Sequence, residues 1–151
     1  MTQTQSKYRT TSERRAEIQT RAAEMGIDDE YISCLVETFY NRVKEDKILG
    51  PIFAKNISNW DVHLPKMKDF WSSVALHSSR YSGQPVPAHV KLASEVEPRH
   101  FTLWLALFKQ TLKDTAPSEA AIPYFMERAE RIAQSLQLSM FGDPALPELQ
   151  S

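Results

Sequence analysis

The chain has 151 residues, enough for one domain with a core of its own and too few for two of ordinary size. Its one cysteine, Cys34, excludes an internal disulfide and any cysteine-built zinc or iron–sulfur cage, and its four scattered glycines exclude a glycine-rich phosphate loop. Eighteen basic against nineteen acidic residues leave a formal charge of −1, so no overall basic field draws nucleic acid.

Arg14, Arg15 and Arg21 are interleaved with Glu13, Glu17 and Glu24, which reads as a solvated helix face. Met1–Thr10 has no apolar core and does not read as a signal peptide. The longest purely apolar run, Leu103–Phe108, is much too short to span a bilayer. The expectation is a soluble cytoplasmic protein with no nucleic-acid or membrane partner.

The hydrophobic period is helical almost throughout, and the expected fold class is all-α. Thr10 or Thr11 caps a first helix, with Glu13 completing a capping box after Thr10 and Gly26 ending the element. Asp28 opens a second helix whose stripe is Ile32, Leu35, Val36, Phe39, Tyr40 and Val43. Gly50-Pro51 reads as a chain break followed by a short apolar turn at Ile52 and Phe53. Asn59 or Asp61 caps the next helix, whose inward stripe is expected to be His63, Met67, Phe70 and Val74, flanked by Leu64 and Trp71. Pro65 strains that reading, because proline suits only a first turn; the regular helix is therefore expected to start near Asp61.

Ser78–Pro87 is a loop by composition, followed by the short apolar piece Ala88–Leu92. Pro98 suits the first position of a further helix carrying Phe101, Trp104, Leu105, Phe108 and Leu112. Pro117-Ser118-Glu119 separates it from a last helix with Ile122, Phe125, Met126, Ala129, Ile132, Ala133 and Leu136 as its buried face. Three segments are expected: an N-terminal extension with a helix over 1–27, a main domain over 28–140, and a disordered proline-containing tail over 141–151.

A plain helical bundle needs only leucine and alanine at its seams. The expected inward positions here hold a phenol (Tyr40), an imidazole (His63) and an indole (Trp104). Each carries a polar atom that needs a partner once buried. One such residue alone is an ordinary satisfied core residue; three together suggest a pocket for something that hydrogen-bonds. His63 and His89, separated by a helix and a loop, are positioned to lie on opposite sides of a flat ligand.

Several segments resemble the group III truncated haemoglobins of bacteria. FYNRVKEDKILGPIF at Phe39–Phe53 is similar to that family's tyrosine-bearing second helix and the turn after it. WDVHLPKMKDFW at Trp60–Trp71 resembles its distal helix, RYSGQPVPAH at Arg80–His89 the loop into its iron-binding histidine, and HFTLWLALF at His100–Phe108 the helix with its pocket tryptophan. The likeness runs from about Asp28 to Leu138, in the family's order.

The resemblance implies a truncated-globin sandwich of two helices on two around a haem b. It implies that His89 is the proximal iron ligand and that Tyr40, His63 and Trp104 surround a bound gas. Phe53, Met67, Phe70 and Tyr81 fall where the family packs the porphyrin, and Lys66 is placed to reach a propionate. His77 and His100 match no ligand position, and Pro65 departs from the family's pattern. The implied function is binding of O2, CO or NO at ferrous iron, with NO dioxygenation to nitrate or peroxide detoxification supported by a reductase. A non-catalytic oxygen-storage or gas-sensing module and a cofactor-free helical interaction domain are the competing readings.

Overall fold

The computed structural model describes residues 10–78 and 95–142, and among them every regular element is an α-helix. The helices are α1 (Thr11–Glu24), α2 (Asp29–Glu45), α3 (Leu49–Asn56), α4 (Trp60–Leu76), α5 (Pro98–Thr115) and α6 (Ala121–Phe141). The segment Ala88–Leu92 and the tail beyond Gly142 lie outside the described residues, as do Tyr81 and His89.

Local chemistry sets most of the boundaries. The Thr10 hydroxyl accepts from the Glu13 N–H at 3.0 Å while Glu13 Oε1 accepts from the Thr10 N–H at 2.8 Å, so the expected capping box starts α1. Gly26, at φ +84°, ends it: the Gly26 N–H donates to Ala23 and the Ile27 N–H to Ala22, the reciprocal pair of a Schellman turn. Asp28 caps α2 through the Tyr31 N–H at 2.8 Å. Pro98 takes the first position of α5, where its missing N–H costs nothing.

One expectation is corrected. Gly50-Pro51 does not break the chain; both residues sit in the first turn of α3, where helical N–H groups have no intrahelical partner and proline is tolerated. Asp46 Oδ2 accepts from the Ile48 and Leu49 N–H groups at 3.0 and 2.8 Å, so α3 starts immediately after α2. A Cβ at Gly50 would stand 2.7 Å from the Lys44 carbonyl oxygen, which reserves the position for glycine. As expected, Asn59 caps α4, which begins at Trp60, one residue before Asp61, and Pro65 lies inside its second turn. The Asp61 carbonyl thereby loses its helical donor while the helix continues.

The helices form two pairs laid face to face. α2 packs on α4, α5 packs on α6, and the pairs meet where α2 crosses α5 and α4 meets α6; α1 closes against α4, and α3 bridges α2 and α5. The core is aromatic at its centre. Trp71 stacks on Phe108 with ring centroids 5.0 Å apart, and Phe125 and Phe39 close in from α6 and α2. The α2 stripe is buried along its whole length. On α6 the buried face is Ala121, Tyr124, Phe125, Met126, Ala129, Ala133 and Leu136, while Ile122 and Ile132 lie at its margin, half-buried.

Several buried polar atoms in this core are paired. The Tyr124 hydroxyl donates to the Ala75 carbonyl at 2.7 Å, the Tyr31 hydroxyl shares a bond with Thr115 at 3.0 Å, and Ser72 bonds Asp29 and Ser78. Gln19 reaches the Leu76 carbonyl and Ser118 the Met25 carbonyl, so α1 is tied to both α4 and the turn before α6.

Candidate functional site

The face of α4 expected to point inward is the half-buried one. Trp71, Ser72 and Ala75 are its buried residues, whereas His63, Met67, Phe70 and Val74 are only partly covered. The two roles of stripe and flank are exchanged because α4 is rotated to stack Trp71 on Phe108 in the core. A row of imidazole, thioether and phenyl is thereby left half-buried along α4. Phe53 on α3 and Leu103 and Trp104 on α5 are half-buried in the same way.

Tyr40 sits at the inner end of this face and is 5 % exposed. Its ring meets Phe53 at 6.0 Å, Trp60 at 5.7 Å and His63 at 5.8 Å between centroids, the last at 89°. Burial pushes its hydroxyl far above the usual phenol range, so the group is a neutral donor at any physiological pH. Among the described residues none hydrogen-bonds to that hydroxyl, in contrast to Tyr31 and Tyr124. A buried hydroxyl without a protein partner is costly, and its presence at one place asks for a ligand.

Trp104 is held from two sides. Its indole lies flat over Phe108, four residues on, with centroids 5.5 Å apart and planes 3° from parallel. The edge of Phe39 meets it at 5.5 Å and 87°. Phe39 also touches Tyr40, so α2 fixes both expected gas-facing donors through one ring. The chain thus brings Tyr40, His63 and Phe53 into direct contact and joins Trp104 to them through Phe39.

The remaining candidates fall elsewhere. Lys66 is exposed on α4 and lines, with Asn56, Asn59, Val62 and His63, a surface groove of about 250 Å³. His77 is exposed and ends α4 in the left-handed conformation, φ +52°. His100 is buried and structural: its Nδ1 accepts the Glu97 N–H at 2.9 Å, which caps α5. Two residues of the cluster had no role from sequence. Phe39 reads there as one more stripe position; Trp60 precedes His63 by three residues, and that helical spacing is the signal that would have found it.

Among the described residues no group of three or more His, Cys, Asp or Glu is placed to hold a bare metal ion, and no helix is long and apolar enough to cross a membrane. A haem asks for something else: an apolar slot for the macrocycle, a nitrogen ligand on one side, and polar groups toward a gas on the other. The half-buried Phe53, Met67 and Phe70 and the unpartnered Tyr40 hydroxyl suit the slot and the gas side.

No family model matches the chain. Over 119 residues it is 34% identical to the group 3 truncated hemoglobin ctb of Campylobacter jejuni subsp. jejuni, covering 76% of this chain and 92% of the relative. The crystal structure of the group III truncated hemoglobin from Campylobacter jejuni superposes with a TM-score of 0.71, at the same identity and coverage. The chain belongs to the group III truncated haemoglobin family.

It is therefore a globin, with the truncated-globin arrangement of two helices on two, and a haem-based gas-binding protein. The helix pairs α2/α4 and α5/α6 are the two layers of that sandwich.

Proposed function

We propose that this globin holds a haem b against the face built from Phe53, Met67, Phe70 and Trp104, with His89 as the axial ligand and Tyr40, Trp104 and His63 facing the gas. The observation that carries the reading is the buried Tyr40 hydroxyl, which has no protein partner among the described residues. A haem held there would supply a ferrous iron able to bind O2, CO or NO. Tyr81 and Lys66 are assigned to the porphyrin edge, Tyr81 by apolar packing and Lys66 by pairing with a propionate.

The chain's own residues then decide how long a gas stays. The Tyr40 hydroxyl and the Trp104 indole N–H donate to an O2 that has drawn electron density, and donors to a charged acceptor contribute about 1.5–3 kcal/mol each. Burial keeps Tyr40 protonated and therefore able to donate. His63 stands edge-on to Tyr40 and also lines the groove at the α3–α4 corner, so it is the residue between solvent and the phenol.

Tight retention is poor for delivery and good for reaction. The reaction proposed is O2 plus NO plus one electron to nitrate, the electron being supplied by a reductase in a cytoplasmic setting. Both atoms of O2 and the nitrogen and oxygen of NO appear in the product, so no other co-substrate is needed. Rapid mixing of the oxygenated protein with NO tests this: ferric haem and stoichiometric nitrate are expected within the mixing phase. Persistence of the oxygenated spectrum would assign the protein to storage or sensing instead.

A further inference from the structure

Trp60 opens α4, and its indole touches both residues assigned to the gas side. It lies tilted on Tyr40, with centroids 5.7 Å apart at 52°, and edge to face on His63 at 5.5 Å and 89°. Tyr40 and His63 meet each other at 5.8 Å and 89°. The three rings are therefore in pairwise contact.

Trp60 has a further neighbour on α2. The Lys44 ammonium stands 4.5 Å from the centre of the indole. Lys44 follows Tyr40 by four residues on α2, so the two side chains leave one helix face a single turn apart. Trp60 is gripped between them. His63, three residues after Trp60, leaves the same face of α4, and the grip on the indole sets where the imidazole can stand.

We infer that Trp60, clasped by Lys44, is a positioning residue that holds the Tyr40 hydroxyl and the His63 imidazole in a single arrangement toward the bound gas. The inference rests on the reading of Tyr40 and His63 as gas-facing residues. Nothing in it requires Trp60 to touch the gas. Its effect is indirect: without the clasp, Tyr40 and His63 sample more than one orientation, and the donor is in place for part of the time.

The test uses the reconstituted haem protein with Trp60→Leu, Trp60→Phe, Lys44→Met and, beside them, Tyr40→Phe. Two quantities are read: the O2 dissociation rate by stopped flow, and the infrared C–O stretch of the CO adduct, which reports the number of polar arrangements around the gas. Trp60→Leu is expected to release O2 about fivefold faster, the worth of one ordinary hydrogen bond, and to split or broaden the C–O band. Trp60→Phe keeps a ring in the clasp and should stay within about twofold of wild type. Lys44→Met keeps the stem and removes the charge, and should speed release about twofold, the scale of an exposed cation–π contact.

A wild-type rate and a single wild-type C–O band in Trp60→Leu would overturn the inference. If Tyr40→Phe alters the rate in the same series, the gas-side assignment survives that failure. If Tyr40→Phe leaves the rate unchanged, the gas-side assignment falls and the clasp falls with it. Should Trp60→Leu not fold, as judged by circular dichroism, the exposed substitution Lys44→Met carries the test. A wild-type rate and band there would overturn the clasp.

Discussion

Tyr40 on α2 and His63 on α4 meet edge to face, with ring centroids 5.8 Å apart and planes at 89°. The imidazole thus stands beside the phenol, and among the described residues none hydrogen-bonds to the hydroxyl. Core tyrosines of the same chain are treated differently: Tyr124 donates to a carbonyl and Tyr31 pairs with a threonine. One helical stripe therefore contains a phenol that packs as a core residue while its hydroxyl has no hydrogen-bond partner among the described residues.

Tyr40→Phe keeps the ring contacts and removes the hydroxyl. Oxygen release should speed up about 10- to 100-fold, the equivalent of one donor to a charged acceptor. Stability in urea should be unchanged or slightly higher, because a buried, unpartnered hydroxyl is removed. Stopped-flow O2 dissociation and an equilibrium melt check the two halves separately.

Alkaline stability follows from the same burial. The Tyr40 hydroxyl ionises far above the ordinary value of 10.0, and burial also raises Tyr31 and Tyr124. Below pH 10 the folded and unfolded chains bind equal numbers of protons at these groups. Above it the unfolded chain loses tyrosine protons that the folded chain retains, so stability falls as pH rises. Urea midpoints from pH 8 to 11.5 should decline beyond pH 10, and less steeply in Tyr40→Phe.

His89→Gly should abolish stable axial ligation. Spectra of the reduced and CO-bound forms should change, and added imidazole should restore them by filling the space with the same ligand chemistry. Unchanged spectra without imidazole would assign the iron to another histidine. His100 is a poor substitute, since its Nδ1 is occupied in capping α5.

Phe108→Ala removes a ring that stacks on both Trp71 and Trp104. A buried phenylalanine truncated in this way costs about 3–5 kcal/mol. Because Trp104 loses the surface it lies flat against, gas release should change along with the urea midpoint. A large loss of stability with an unaltered O2 dissociation rate would separate the core from the site.

Much of this was legible along the chain because it depends on residues close together. The Thr10–Glu13 box, the Gly26 stop, the Asp28 cap and Pro98 at the head of α5 are interactions within a turn, and each appears where its residues are. The α2 stripe was equally readable, since a helix that repeats apolar residues every three or four positions has one face to bury. Gly50-Pro51 misled because the same pair that breaks a helix interior is accommodated in a first turn, and only the Asp46 cap shows which applies.

What the sequence determined alone was therefore the helical class, most of the boundaries and the identity of the polar aromatic residues. The tertiary structure decided which face of α4 is core and which stays half-buried. Both faces are apolar enough to be buried, and periodicity has no means of ranking them; the stacking of Trp71 on Phe108 does. It also decided that the Tyr40 hydroxyl has no hydrogen-bond partner among the described residues and that Trp60 touches both Tyr40 and Lys44. Those are contacts between helices, set by rotation and packing rather than by spacing along one strand of sequence.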